Sequence, residues 1–390
     1  MFKAKINQIN DLSKCLFLGA DIHKNNHTFV ALNNLGQQIG QCAVTDNYQD
    51  LAKLKDWLEK LKVKFNSQTI LGLEDSSGNG EAVSRFLVNN GYLVFDINPV
   101  LTAQRRKRTI HQDKSDSGDA LLIAKTLISE LGSLPQVKIT KQTQLAKELK
   151  GLVDDYEALI KNQTQYKNQL HCLLYQYYGN PYRQMFKNVF SQKALKFWLK
   201  KGEAKSLDPE KDSGLTAIPP QLKYIKELRI KQKTEQILLI QQRLKCLTKI
   251  MQELLADLPY QNLLTLDGCG LLTTARIIGE IKDINQFKNS SGLAKYAGLA
   301  PREDSSGQTR KHRGSKFGNR QLNKAFYQLA LSQIGRCSNT KAASYYHGKI
   351  KEGKSKKRAL KSLVRRNVDI VYAMMKDGST YDINYCKKKS

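Results

Sequence analysis

From Cys15 the chain reads "CLFLGADIHKNNHTFVALNNLGQQIGQCAV", with apolar and β-branched residues alternating with polar ones between Asn-rich and Gly-containing breaks. A period of two marks strands that bury one face, and such breaks suit hairpins. In "YQDLAKLKDWLEKLKVKF", residues 48–65, apolar positions fall at three- and four-residue steps, which predicts a helix. "TILGLED" then reads as a buried strand, "GEAVSRFLVNNG" as a helix closed by Gly91, and "YLVFDI" as another strand. Antiparallel strands followed by alternating helices and strands predict an α/β domain of the RNase H-like kind over about residues 12–135.

Residues 140–258 change to a helical, polar pattern. Ile230, Ile237, Leu244, Met251 and Leu258 recur every seven residues, with Ile240, Leu247 and Leu254 three after an "a" position. Such a seam fits a coiled-coil connector, and equally one long amphipathic helix packed inside its own chain. "GEAKSLDPEKDSGLTAIPP", Gly202 to Pro220, is rich in Gly, Pro and charge and reads as a loop. Residues 259–375 predict a mainly helical third domain. Its "LLTLDGCGLLTTARIIGEI" fits a helix-hairpin-helix-like element, whose turn amides and helix N-terminus can hold a phosphate; a Gly turn between packed helices is the plainer alternative. "KIKEGKSKKRALKSLVRR" predicts a basic helix or tail along a nucleic-acid backbone.

Charge narrows the partners. Among 390 residues, Lys and Arg number 64 and Asp and Glu 35, a net charge of +29. A chain so basic points to a polyanion, because each neutralised phosphate releases condensed counterions. The seven cysteines form no CxxC pair, which argues against a zinc ribbon and suits reduced thiols in a cytosol. No apolar run approaches a membrane span and no signal-peptide core opens the chain, so a cytoplasmic protein is expected.

Against that background the acids of "HQDKSDSGDALLIAKTL" stand out, directly after the basic run Arg105, Arg106, Lys107, Arg108. Asp21 in "FLGADIHK" and Glu74 in "GLED" each end an apolar strand, where a carboxylate is costly without a cation or donors. Asp116 and Asp119 are three apart at a helix start and share a face. On an RNase H-like sheet the four carboxylates converge, and their repulsion calls for Mg²⁺ or Mn²⁺, hard ions suited to phosphoryl transfer. Each acid also has an ordinary reading: a turn residue for Asp21 or Glu74, an N-cap for Asp116, a dipole-favoured N3 position for Asp119. Asp75 and Asp113 read as ordinary polar neighbours. The four basic residues would sit at the mouth of the site and bind phosphates.

The segments "GADIHK", "LEDSSG" and "KSDSGDA" resemble the conserved acidic segments of the DEDD transposases of the insertion-sequence-110 family, which include pilin-gene invertases and bridge-RNA-guided recombinases. The stretch from "LLTLDGCG" to "HRGSKFGNRQL", Leu263 to Leu322, is similar to that family's second domain, and the two regions span roughly two thirds of the chain. The loop at 202–220 and the basic tail are less typical. The resemblance implies a RuvC-like catalytic domain with Asp21, Glu74, Asp116 and Asp119 as metal ligands. It also implies a serine nucleophile within "DSSG", where Ser305 and Ser306 are both candidates and Ser306, beside Gly307, fits the spacing better. Chemistry alone reads "PREDSSGQ" as a polar turn. The dense strip Arg310, Lys311, Arg313, Lys316 and Arg320, with Gly314 and Gly318 permitting close backbone approach, is expected to hold nucleic-acid phosphates. The resemblance further implies a structured guide RNA and a homo-oligomer, dimer or tetramer. The rival readings are a Holliday-junction resolvase-like nuclease that uses water, and a non-catalytic nucleic-acid-binding protein.

Overall fold

The computed structural model describes residues 11–76, 78–107, 115–132, 134–201, 220–306, 309–314, 318–335 and 340–382, with backbone alone at 201, 220–223, 301–306 and 309–314. The chain divides into two compact units, one of Met1–Gln144 with Asp283–Asn319, the other of Leu145–Lys282 with Arg320–Ser390.

The first unit is built on a mixed five-stranded sheet in the order β3-β2-β1-β4-β5. Its strands are β1 (Cys15–Ile22), β2 (His27–Leu32), β3 (Gln38–Val44), β4 (Gln68–Leu73) and β5 (Leu93–Asp96). β1, β2 and β3 pair antiparallel, whereas β4 and β5 run parallel to β1. The helices are α1 (Tyr48–Phe65), α2 (Glu81–Asn89), α3 (Pro99–Arg106) and α4 (Asp116–Glu130); the α/β expectation holds, and α3 is a helix that the pattern did not predict. Strand alternation sorts the core. Leu16, Leu18 and Ala20 face Leu54 and Leu58 of α1 and Val83 and Leu87 of α2. Cys15, Phe17 and Ile70 face Ile123 and Leu127 of α4 on the opposite side. Gly19 and Gly72 belong to this second face and pair across β1 and β4.

The second unit is helical: α5 (Lys141–Tyr178, whose first turn belongs to the first unit), α6 (Gln192–Lys201), α7 (Pro220–Ala256) and α8 (Leu271–Ile281), then, beyond α9 (Ser290–Tyr296) of the first unit, α10 (Arg320–Gly335), α11 (Lys341–Lys351) and α12 (Lys356–Asp377). The heptad seam lies on α7, where Ile230, Ile237, Ile240, Leu244 and Met251 are buried within the single chain. Ile230 and Ile237 pack with Leu170, Leu173 and Leu174 of α5 and with Trp198 of α6. Of the two readings of the heptads, this is the intramolecular one. The basic segment near the C-terminus is likewise more than a tail. α12 is capped by Ser355 and buries Ala359, Leu363, Val364, Val368 and Val371, leaving its cations on the outer face. In the Gly268–Gly270 turn, Gly268 adopts φ +77° and packs on Gln333, while Gly270 opens α8.

The segment 283–319 adds α9 (Ser290–Tyr296) and the antiparallel hairpin β6 (Pro301–Ser306) and β7 (Thr309–Gly314) to the first unit. The sequence pattern reads this stretch as a turn; it carries no apolar alternation and is held by backbone pairing. Among the described residues no helix is long and apolar enough to cross a membrane. The expected loop at 202–219, together with Arg108, Asp113, Lys316 and Gly307, lies outside the described residues, and Pro220 opens α7.

Candidate metal centre

Strand register brings the first two acids together. Ala20 pairs with Leu73 across parallel β1 and β4, so Asp21 and Glu74, one residue further on, stand side by side at the carboxyl ends of neighbouring strands. That edge is where open α/β sheets present ligands. α4 supplies the other two. Its N-cap is Ser115, whose Oγ accepts from Gly118 N at 3.1 Å, so Asp116 is not consumed as a cap. Asp116 and Asp119 fill the first turn, where the helix dipole favours negative charge. α4 lies close against the sheet at the Gly19–Gly72 pair. A Cβ on Gly19 would stand 2.1 Å from Ala120 O and 2.3 Å from Ala124 N, and one on Gly72 2.5 Å from Ile97 Cδ1. Gly19 lets α4 dock on bare backbone, Gly72 makes room for Ile97, and Asp116 and Asp119 lie in the first turn of the docked helix.

Asp21 is coupled to the other three carboxylates, and Glu74 to Asp119 as well. Burial pushes the Asp21 carboxyl above the ordinary aspartate range; His23 opposes that, and Asp119 and Asp116 add to it. Burial also raises Glu74, against a hydrogen bond from Thr102, with Asp21 and Asp119 raising it further and Arg106 lowering it. The side chains of Asp21 and Asp119 are 13% and 14% exposed, whereas Asp116 is 62% exposed. The cluster therefore has a covered base and an open lip.

Three further groups hold the carboxylates, and the sequence pattern missed all three in this role. His23 Nε2 lies 3.1 Å from Asp21 Oδ2 and 3.4 Å from Asp116 Oδ1, bridging β1 to α4. Thr102 Oγ1, on α3, donates to Glu74 Oε1. Arg106 Nη2 donates to Asp119 Oδ1. The placement of Arg106 modifies its expected role as a phosphate binder, because the nearest anion is a half-buried carboxylate of its own site. The one signal for His23 was its position two residues after Asp21, on the same strand face. Asp75 is a turn residue: at φ +51° it accepts Asn79 N at 2.9 Å.

The donor set suits a divalent cation. Asp21, His23 and Asp116 each offer a ligand atom within 4.8 Å of the others. Among the described residues Asp21 Oδ2 is buried and unsatisfied, with His23 Nε2 3.1 Å away. A buried, unsatisfied carboxylate oxygen among like charges is what a hard cation relieves.

Arg105 and Arg106 form the last turn of α3 and Lys107 is its exposed C-cap. Ser305 and Ser306 lie on β6, paired with Arg310 and Thr309 of β7, which also carries Lys311 and Arg313. Arg320 opens α10 and is exposed. The space at Gly318, φ +128°, is filled by protein: a Cβ there would meet Gly298 N at 2.4 Å, so this glycine serves the close approach of two backbone segments.

Fold and site together define an α/β protein with a carboxylate cluster built for a divalent cation. Comparison with known proteins places it more closely. A transposase profile of the IS110 DEDD type matches residues 18–179, and one described as "Transposase IS116/IS110/IS902 family" matches residues 260–347. The chain is 24% identical to an insertion element IS110 uncharacterized 43.6 kDa protein of Streptomyces coelicolor, over 94% of this chain and 95% of that protein. It is 24% identical to the pilin gene-inverting protein of Moraxella lacunata, over 94% and 97%. It is 25% identical to the transposase for insertion sequence element IS1111A of Coxiella burnetii, over 72% of each. The chain belongs to the IS110 family of transposases, enzymes that cut and rejoin DNA.

Proposed function

We propose that the protein is a transposase or site-specific recombinase that cuts DNA at the Asp21, Glu74, Asp116 and Asp119 cluster with Mg²⁺, or Mn²⁺, and rejoins it through a covalent serine. The observation that carries the reading is the meeting of Asp21 and Glu74 at adjacent strand ends under the acidic first turn of α4. The strand order 3-2-1-4-5, with the first three strands antiparallel, supports an RNase H-like, RuvC-like catalytic domain at 12–135. In the same reading 140–258 is the connector and 259–375 the serine-bearing domain.

Asp21, Glu74, Asp116 and Asp119 would hold Mg²⁺, which when bound would supply positive charge to polarise the scissile phosphate. Asp21 and Glu74 give it a rigid strand-end base, and Thr102 orients Glu74. The Ser306 hydroxyl, or Ser305 in its place, attacks phosphorus. An Oγ–P bond forms as a strand P–O bond breaks, the hydroxyl proton leaves to a base, and the departing strand oxygen takes up a proton. On rejoining, a strand hydroxyl attacks the same phosphorus, the Oγ–P bond breaks and the serine regains its proton. One bond replaces another, so no ATP is consumed. The cations of β7 and Arg320 hold phosphates. A structured guide RNA pairs with donor and target, a homo-oligomer unites the parts, and the work is done in the cytoplasm.

The test is supercoiled DNA with Mg²⁺. Protein-linked DNA supports the reading; free hydrolysed ends favour the resolvase-like rival; mobility shifts without cutting favour a binder. Asp21→Asn is expected to abolish cutting while retaining DNA binding.

A further inference from the structure

The last turn of α3 sends its two arginines to different places. Arg106 goes to Asp119 in the metal centre. Arg105 goes to a neighbouring cleft of about 450 Å³ between the β2–β3 turn and the outer face of α4. Arg105 Nη1 is buried there and has no hydrogen-bond partner among the described residues. A buried guanidinium nitrogen without an acceptor costs free energy unless a ligand satisfies it.

Lys125 and Ser129, one turn apart on α4, line the same cleft, as does Asn34. Among the described residues no carboxylate lines the cleft or pairs with Arg105 or Lys125. The cations are therefore uncompensated, and the space accepts an anion. Its walls are apolar at Leu35, 77% exposed at the hairpin tip, and at Leu122. The turn wall is preformed. Asn33 Oδ1 accepts from Leu35 N at 3.1 Å and Gln37 N at 2.9 Å. A basic floor between apolar walls suits a nucleotide unit, with its phosphate on Arg105 and Lys125 and its sugar against Leu35 and Leu122. Lys125 follows Asp119 by six residues on one helix, a rise of about 9 Å. The cleft and the metal centre thus both lie along α3 and α4, and a strand held at one can extend to the other.

We propose that this cleft is a strand-holding subsite for DNA: it binds a phosphate and sugar beside the scissile position and fixes the strand for attack. The proposal rests on the DNA-cutting reading above. Arg105 and Lys125 are positioning residues that touch no reacting atom.

The experiment measures binding of a fluorescent DNA duplex at several salt concentrations to the full-length protein, without Mg²⁺. Arg105→Gln and Lys125→Ala are each expected to flatten the log–log salt slope by about 0.9, the loss of one phosphate contact. The double variant is expected to lose no more than about the same, because both cations hold one phosphate. Lys55→Ala, an exposed cation on α1 away from the cleft, leaves the slope unchanged. In cleavage assays Arg105→Gln raises KM for DNA several-fold and leaves kcat within about threefold. Wild-type slopes in both single variants, or the same flattening in Lys55→Ala, overturn the subsite while the DNA-cutting reading stands. Wild-type protein that does not bind DNA overturns both.

Discussion

Gly19 and Gly72 face each other across β1 and β4; a Cβ on Gly19 would strike the backbone of α4, and one on Gly72 would strike the side chain of Ile97. Two residues beyond them come Asp21 and Glu74. Gly19 therefore sets the separation between the strand-borne and helix-borne carboxylates. Gly19→Ala would place a methyl group 2.1 Å from Ala120 O, and backbone cannot yield as a flexible side chain would. We expect a loss of at least ~1–3 kcal/mol in thermal or denaturant unfolding. Cation affinity should fall with it, because Asp116 and Asp119 move away from Asp21. A variant with wild-type stability and wild-type Mn²⁺ affinity would show that α4 docks without the glycine trough.

The cluster is unfavourable as it stands, with burial and mutual repulsion both raising Asp21 and Glu74. A bound divalent cation should therefore stabilise the fold. At one hundred times its Kd the gain is ~2.7 kcal/mol, read as a rise in Tm. Asp21→Asn should remove that rise for Mg²⁺ and Mn²⁺ alike. His23→Ala discriminates further. Imidazole suits Mn²⁺ better than Mg²⁺, so if His23 is a ligand its loss should reduce the Mn²⁺ shift more than the Mg²⁺ shift. An equal effect on both ions, or tighter binding of both, would make His23 a displaced counter-charge rather than a ligand.

The heptads of α7 lead to a prediction about folding. Ile237 is fully buried and packs in the cluster that holds Leu170 and Trp198. Ile237→Lys should therefore cost at least ~3 kcal/mol and unfold the helical unit, since a charge replaces a packed side chain. Circular dichroism melts check this. A variant that kept wild-type stability and changed only from oligomer to monomer in light scattering would return the seam to an interface between chains.

How far the site could be read from sequence depends on what each residue signals locally. Asp21 and Glu74 were legible because an apolar strand that ends on a carboxylate breaks the burial rule at a defined point. Asp116 and Asp119 were legible because a three-residue spacing fixes a shared helical face. Thr102 and Arg106 left no such mark. Each acts on an acid from another element, 28 and 13 residues away, and only the packing of α3 decides which acid it meets. The hairpin of β6 and β7 was hidden for a different reason: "PREDSS" and "TRKHRG" pair through their backbones, and their sequences carry no apolar alternation that would mark strands. Ile237 shows a third limit. A seven-residue repeat identifies a buried stripe, and the stripe is the same whether its cover is α5 and α6 or a second copy of the chain.

The serines are the sharpest test of the covalent reading. Ser305 and Ser306 are adjacent on β6, and their register differs: Ser305 pairs with Arg310, Ser306 with Thr309. A single phosphorus is attacked by one hydroxyl, so one of the two serines at most is the nucleophile. The two single variants must therefore be unequal. If Ser306 is the nucleophile, Ser306→Ala loses recombination and every protein–DNA adduct, yet keeps DNA binding and the Mn²⁺-induced rise in Tm. Ser305→Ala then retains activity within about tenfold, the scale of a lost neighbouring contact. The reverse pattern transfers the role to Ser305 and leaves the chemistry unchanged. Because an adduct needs both the serine and the metal site, Asp21→Asn should also lose the adduct, with binding intact. Full recombination by the double serine variant would remove the covalent step altogether and leave water or a DNA hydroxyl as the attacking group. The carboxylate cluster would then be doing resolvase-like chemistry, visible as free DNA ends on a denaturing gel.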